Sequence, residues 1–382
     1  MDFRLDDEQL ARVSHVREFA QQVLSESARR RIAESAFDRE LWNRAADLGL
    51  SGLPIPEQWS GSGFGALDTM LTVEALGFGC TDMGLVFSLC AHMFACAVPI
   101  WRYGDDAQRQ HYLHRISKGE LIAANAITEP ESGSDAFAMR ASAIRDGDTY
   151  ILRGEKCFVT NAPVADLFLI YAKTDPNQSF FGVSGFLVPR DTPGLSVTDG
   201  GSKTGLCTSP WGSLYMDDCR IPASALLGEE GGGAPMFHDS MIWERGCLFA
   251  AYVGAMERAL QQSIDHARNR KQFGQPIGRN QSVSDRLVDM KLRLETSRLL
   301  LYRAGWLYDQ GEPYEEAIAL SKLWISECSV LSGLDAMQVF GGTGVSSAAG
   351  VDRLLLDSLP SRIFSGTSEI QKELIARHMG LR

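Results

Sequence analysis

The sequence predicts an α+β fold that is mostly α: a helical first region, an antiparallel sheet or small barrel, then a bundle of long helices. Three observations predict it. Apolar residues recur at helical spacing up to about residue 121. Short β-rich segments broken by turn chemistry then replace that period. From about Ala234 the helical period returns over long stretches joined by short loops. The expected domains are therefore 1–121 (N-terminal helical domain), 122–233 (middle β-domain) and 234–382 (C-terminal bundle).

In the first region Phe19, Val23 and the stretch 41–50 keep helical spacing, and 71–78 and 85–101 are long apolar runs with few turn residues. The run 85–101, rich in Ala and Cys, reads as a helix buried on most sides. Gly61-Ser62-Gly63-Phe64-Gly65 reads as a flexible connection. In the middle region 123–128, 150–153, 157–160, 167–172, 185–188 and 213–216 read as strands, with Asp146-Gly147-Asp148 and Pro193-Gly194 as turns. No long helical pattern interrupts them, which favours antiparallel pairing over βαβ winding. The Gly-rich stretch 228–233 closes this region. In the last region Tyr252, Met256, Leu260, Ile264 and Ala267 mark one helix face, and Val283, Leu287, Met290, Leu294 and Leu301 a second. The stretches 317–340 and 368–381 supply a third and a fourth helix.

At 382 residues, 45% hydrophobic and 22% charged, the chain is too long for one core and too ordinary in composition to be disordered, collagen-like or a coiled coil. A formal net charge of −11 repels nucleic-acid phosphates and anionic lipid, so neither nucleic acid nor membrane is expected as a partner. No apolar stretch is read as approaching the roughly 20 residues that span a bilayer. The start, from Met1 to Glu8, shows no apolar signal core, and a cytoplasmic location is expected. Eight cysteines form no C-x-x-C pair and the histidines do not cluster near them, so buried thiols are expected and a metal site is not.

Several chemistries are unsupported: there is no G-x-x-x-x-G-K-[ST] loop, no H-E-x-x-H, no G-x-S-x-G, and no G-x-G-x-x-G opening a helix after a strand. Four segments carry information. Ile127-Thr128-Glu129-Pro130-Glu131-Ser132-Gly133-Ser134-Asp135 brings N–H groups and hydroxyls together, suited to a flavin edge and a diphosphate or simply to an Asx/Ser turn. Lys156-Cys157-Phe158-Val159-Thr160-Asn161 puts Phe158 and Thr160 on one face, as any half-buried strand would. Arg268-Asn269-Arg270-Lys271-Gln272-Phe273-Gly274-Gln275-Pro276-Ile277 ends a long helix at Gly274 with cations, a common arrangement. Phe364-Ser365-Gly366-Thr367-Ser368-Glu369-Ile370-Gln371 is a loop running into the last helix, where Thr367 or Ser368 can be an N-cap.

In this order and at these separations the four segments resemble the acyl-CoA dehydrogenase family over nearly the whole chain. Phe340-Gly341-Gly342-Thr343-Gly344, and Ile221-Pro222 ahead of Leu226-Leu227-Gly228, add to the resemblance. It implies the acyl-CoA dehydrogenase fold, a homotetramer, and FAD between the β-domain and the bundle. By motif, Thr128 and Ser134 would hold flavin and diphosphate, and Phe158 and Thr160 would cover the ring and its N5 edge. Arg270, Phe273 and Gln281 would contact the FAD of a partner subunit, and Gln338, Gly342, Thr367 and Glu369 would complete the nucleotide site.

The family's chemistry needs a carboxylate base opposite the flavin. Many members carry it immediately before the Gly-Thr of the final loop, where this chain has Ser365, whose neutral hydroxyl cannot serve. Glu244, directly before Arg245, matches the base position of the isovaleryl- and long-chain-type members. Ser365 keeps a backbone N–H for the thioester oxygen. Trp243 and Arg245 are expected to contact the substrate, Arg245 as a packing and electrostatic partner of the site and not as a catalyst.

The segment 236–247 around Trp243-Glu244-Arg245, with Thr208-Ser209-Pro210-Trp211 and Pro360-Ser361-Arg362-Ile363-Phe364-Ser365-Gly366-Thr367, looks like the subgroup oxidising L-prolyl groups on peptidyl carrier proteins toward pyrrole-2-carboxyl units. Ile242, where an acidic residue is frequent, and Cys207, where Arg is common, weaken the case for free CoA. Trp243 and Trp211 are candidates to shape a small pocket or to be core. An acidic enzyme meeting an acidic carrier needs a local basic patch, with Arg293, Arg298 and Arg303 as candidates. The alternatives are a short- or branched-chain acyl-CoA or acyl carrier dehydrogenase, a flavin oxidase or monooxygenase, and a non-catalytic member. The expected electron acceptor is an electron-transfer flavoprotein or oxygen.

Overall fold

A computed structural model describes residues 4–381; residues 1–3, within the start read above for a signal core, and Arg382 lie outside the described residues. The first region folds as α1 (Asp7–Phe19), α2 (Ala28–Glu34), α3 (Arg39–Asp47), α4 (Ala66–Gly79), α5 (Met83–His92), α6 (Val98–Tyr103) and α7 (Asp106–Ser117). Asp6 and Gln9, and again Asp105 and Gln108, form reciprocal capping boxes that satisfy the opening N–H groups of α1 and α7. A π-turn, Met93–Ala97, joins α5 to α6. The result is a continuous helix of 21 residues, Met83–Tyr103, with mean hydropathy 1.9. This corrects the reading that no apolar stretch is long enough to cross a bilayer. By length and composition this one is, yet 89% of its apolar window is buried within the protein.

The middle region contains β1 (Ala123–Ala126), β2 (Ser142–Asp146), β3 (Thr149–Thr160), β4 (Leu167–Lys173), β5 (Val183–Pro189), β6 (Leu195–Asp199), β7 (Trp211–Pro222) and β8 (Leu226–Leu227). Their order is β6-β7-β3-β2-β4-β5-β8, with β1 beside β4. Most pairs are antiparallel, as expected, but β4 runs parallel to both β1 and β2. The β2–β3 hairpin intervenes between β1 and β4, so β4 returns in the direction of β1. The segments 150–153 and 157–160 are one strand, β3, whose register shifts near Gly154 and between Lys156 and Val159. Gly154 has φ +126°, and a Cβ there would lie 2.8 Å from the Ala141 Cα, so the kink requires glycine.

The last region holds α8 (Gly233–Gly246), α9 (Ala250–Asn269), a two-stranded tip of β9 (Lys271–Gln272) and β10 (Gln275–Pro276), α10 (Gln281–Asp309), α11 (Glu315–Phe340), α12 (Asp352–Ser358) and α13 (Ser368–His378). Helix α4 of the first region packs into this bundle against α9, where a Cβ on Gly254 would fall 2.0 Å from the Glu74 carbonyl oxygen. Arg298 of α10 ties the regions together, bonding Glu74 at 2.6 Å and Glu257 at 2.8 Å, with Tyr302 donating to Glu74 at 2.7 Å. That spends one residue proposed for a basic patch, and Arg293 is spent on Asp335; Arg303 is exposed. All eight cysteines are free thiols.

Candidate active site

The sheet and the bundle enclose a cleft of about 410 Å³ built from four walls. Strand β1 and the loop after it form one, with Ala123, Asn125, Thr128 and Ser134 facing inward. That loop is pinned from beneath. Lys156, fully buried, donates to Glu129 at 2.7 Å and to the Ile127 carbonyl at 3.0 Å. Glu129 also accepts from the N–H groups of Arg140 at 2.6 Å and Ala141 at 2.9 Å. Burial raises its carboxyl, but Lys156 and the two N–H donors outweigh burial and hold it below the usual carboxylate range. Burial lowers Lys156 despite the carboxylate.

The end of β3 forms the second wall. The bulge sets Phe158 at φ +56°, leaving its ring 64% exposed and stacked on Trp211 at 5.3 Å, the two planes 7° apart. Phe158 and Thr160 do face the same cleft, but through this bulge and not through plain strand alternation. The third wall is α5 with its π-turn, contributing Phe87, Ala91 and Ala95, opposite Phe237, Met241 and Glu244 of α8. The final loop, from Ile363 to Thr367, closes the fourth.

That loop is held at its carbonyls by buried donors. Arg245 Nε donates to the Ser365 carbonyl at 2.8 Å, and Gln371 Nε2 to the Gly366 carbonyl at 3.0 Å. Phe364 anchors it against Phe87 at 4.8 Å and Phe249 at 5.6 Å. Ser365 itself sits at φ +53°, a left-handed conformation costly for a residue with a Cβ. Among the described residues no acceptor takes its N–H. Its hydroxyl donates to Glu244 Oε1 at 3.0 Å. Burial pushes the Glu244 carboxyl up to about 7, against the opposing pull of the Ser365 hydroxyl and the Arg245 charge. A carboxylate tuned to that value is half-ionised near neutral pH, where a general base is most effective.

The cleft also suits a flavin. Thr128, Ser134 and Thr160 face it with hydroxyls that have no partner among the described residues. Nothing lies within 4 Å of a Cβ built on Gly133, so a ligand can approach the backbone there. The parallel Phe158 and Trp211 rings present a flat apolar face at the mouth.

Of the residues singled out from the sequence, the structure brings together Thr128, Ser134, Phe158, Thr160, Glu244, Ser365 and Thr367. Arg270, Phe273 and Gln281 lie exposed at the β9–β10 tip and the start of α10, outside the cleft, with Phe273 99% exposed. Gln338, Gly342 and Glu369 are also exposed and do not line it. Trp243 does not reach the cleft: its ring is buried between Phe94 and Tyr308. Arg245, expected to contact the substrate, touches the final loop from behind and does not line the cleft. Ile242 packs in an apolar cluster with Ala304, Ala317 and Ile318. Sequence reasoning missed Asn125, Gln371 and the Glu129–Lys156 anchor. Gln371, Glu129 and Lys156 all lie within quoted motifs, where the charge of Glu129 and Lys156 was the available signal.

Comparison with known proteins agrees with this geometry. The chain matches the acyl-CoA dehydrogenase N-terminal domain over residues 6–120, the middle domain over 124–219 and the C-terminal domain over 231–380. It is 50% identical to an L-prolyl-[peptidyl-carrier protein] dehydrogenase of a Serratia strain, covering 100% of this chain and 99% of that protein. A counterpart described in the same words from Pseudomonas fluorescens is 47% identical, with full coverage of both chains. Among solved structures, one described as PigA with FAD and proline superposes with a TM-score of 0.98 at 50% identity, covering both chains fully. The prolyl acyl carrier protein oxidase AnaB superposes with a TM-score of 0.97 at 40% identity, over 99% of this chain and 100% of that one.

Proposed function

The chain belongs to the acyl-CoA dehydrogenase family, and on that premise we propose that it oxidises an L-prolyl group carried as a thioester on a peptidyl carrier protein. The product is the pyrrole-2-carboxyl thioester. The observation that carries the chemistry is Glu244, the cleft carboxylate held by Ser365 and pushed up to about 7. The substrate is supported by the relatives that share half of this sequence and by the related structure described with FAD and proline.

Bound FAD supplies the acceptor for the hydride that leaves the prolyl β-carbon. Everything else falls to the chain. Glu244 takes the α-proton, and the Ser365 N–H donates to the thioester oxygen as negative charge gathers on it. Arg245 and Gln371 hold the carbonyls of that loop, so the N–H keeps its aim. Phe237 and Met241 exclude water from the side opposite the sheet. A second removal of proton and hydride, after tautomerisation and after the flavin has passed the first electron pair on to its acceptor, aromatises the ring.

Thr128, Ser134, Phe158 and Thr160 hold the flavin within one chain, and Thr367 lies beside them. Arg270, Phe273 and Gln281 serve the FAD of a neighbouring subunit in a homotetramer. That assembly is supported by their exposure away from their own cleft and by exposed Val288, Leu292, Leu331 and Leu334 along α10 and α11. The electrons pass to an electron-transfer flavoprotein or to oxygen. One related structure is described as an electron transferring flavoprotein of Acidaminococcus fermentans, and AnaB is described as an oxidase. Anaerobic mixing of the yellow protein with prolyl carrier protein and, separately, with isovaleryl-CoA tests the substrate. Bleaching by the prolyl carrier is expected; bleaching by the CoA ester alone assigns the chain to the short- or branched-chain dehydrogenases.

A further inference from the structure

The polar side chains of the cleft divide into those already given a part and one that has none. Thr128, Ser134, Thr160 and Thr367 belong to the flavin, and Glu244 and Ser365 to the proton. Asn125 is the remainder. It stands on β1 in a wall that is otherwise small and apolar, between Ala123 and the Ala91 and Ala95 of the facing helix.

Its amide is fixed. Nδ2 donates to the Ala95 carbonyl at 2.9 Å, within the π-turn Met93–Ala97. A π-turn shifts the helical hydrogen-bond ladder and recurs at functional sites, and here one of its carbonyls is taken by a side chain. With the nitrogen committed to the helix, the oxygen is turned away from it. Among the described residues nothing donates to Oδ1. The Tyr171 hydroxyl on neighbouring β4, fully buried and off the cleft lining, lies against the Asn125 amide and helps fix it. It is near enough to feel both the Asn125 amide and the Glu244 charge. An amide held on its nitrogen side, on the lining of the cleft, presents its oxygen as an acceptor open to a ligand.

A plain acyl group, all carbon and hydrogen, brings no donor to complete this site. An α-aminoacyl group does. We propose that Asn125 Oδ1 accepts a hydrogen bond from the α-amine N–H of an aminoacyl thioester, which makes Asn125 the residue that selects aminoacyl over plain acyl groups. The inference rests on the prolyl-carrier reading and adds to it the means of recognition. Asn125 and Glu244 stand on different walls of one cleft, so an amine held at the sheet leaves the α-hydrogen free to face Glu244. A site built to bond an N–H discriminates strongly against a substrate that lacks it.

The test compares a prolyl carrier with the same carrier bearing a cyclopentanecarbonyl group, a ring of similar size without the amine. Wild-type protein should be bleached by the prolyl carrier at least tenfold faster at subsaturating concentration. Asn125→Leu should lose about 10- to 100-fold with the prolyl carrier, the worth of one hydrogen bond to a charged or polar N–H. It should change the cyclopentanecarbonyl rate by less than about threefold. Equal losses on both substrates would assign Asn125 a purely structural part through Ala95, and no loss on either would remove it from the site; both overturn the inference. Should Asn125→Leu fail to retain FAD, the wild-type ratio alone decides, since equal rates on the two carriers also overturn it. Prolyl bleaching unaffected by the substitution refutes only this inference, whereas the absence of prolyl bleaching in wild type refutes the reading beneath it.

Discussion

Substituting Ser365→Ala should move the pH dependence of flavin bleaching upward. The hydroxyl donates to Glu244 Oε1 at 3.0 Å, and that bond stabilises the ionised carboxylate over the protonated one. Hydrogen bonds to charged groups are worth about 1.5–3 kcal/mol, which is roughly one to two pH units of carboxyl pKa. In wild type, burial sets Glu244 at about 7. Below that value the carboxyl is protonated and cannot accept the α-proton, so bleaching should rise roughly tenfold between pH 6 and 8. In Ser365→Ala the same rise should come about one pH unit or more higher, with a comparable plateau. Alanine retains the backbone N–H and bears the φ of +53° no worse than serine, so the thioester contact survives. The assay is anaerobic stopped-flow bleaching at subsaturating prolyl carrier from pH 5.5 to 9. Coincident rising limbs in the two proteins would refute the assignment of that hydrogen bond to the base.

Three further outcomes follow from the same contacts. Glu244 has a folded-state pKa of about 7 against an ordinary 4.5, so its contribution to stability is fully present below about 4.5 and is lost as pH rises through 7. The loss reaches about 3 kcal/mol by pH 8. Glu244→Gln should therefore resist urea better than wild type at pH 8 and about equally at pH 5. Lys156→Met leaves Glu129 with a buried, unpaired charge and should cost about 3–5 kcal/mol in urea unfolding, with weaker FAD retention because the loop 127–134 loses its anchor. Glu129→Gln added to it should restore part of that loss. Gly366→Ala must adopt φ +87° and place a Cβ 2.8 Å from Gln371 Nε2, so bleaching should slow on the order of tenfold while FAD stays bound.

The helical regions were legible because their apolar periods are long: α9 shows its buried face directly through Tyr252, Met256 and Leu260. Strands β2 and β6 escaped notice because they are short and largely exposed, leaving no apolar alternation to read. The parallel placement of β4 was invisible for a different reason, since direction within a sheet depends on the path of the intervening β2–β3 hairpin. In the site, Glu244 could be named from its neighbours in the chain. Adjacent Trp243 belonged to the core because neighbouring residues on a helix face different ways. The spending of Arg293 and Arg298 on Asp335, Glu74 and Glu257 requires contacts more than 40 residues apart in every case, which no local pattern contains. Asn125 carried no motif at all. Its meaning comes from the π-turn carbonyl that fixes its amide and from the cleft it lines.

The central claim is that Glu244 removes the α-proton of a carrier-bound prolyl group. It is tested most directly by mixing Glu244→Gln, loaded with FAD, anaerobically with prolyl carrier protein at pH 8. The account requires full FAD content and the loss of substrate-dependent bleaching, by at least about a hundredfold, since a general base contributes on the order of 10²–10⁴. Bleaching at the wild-type rate would contradict it and place the base elsewhere in the cleft.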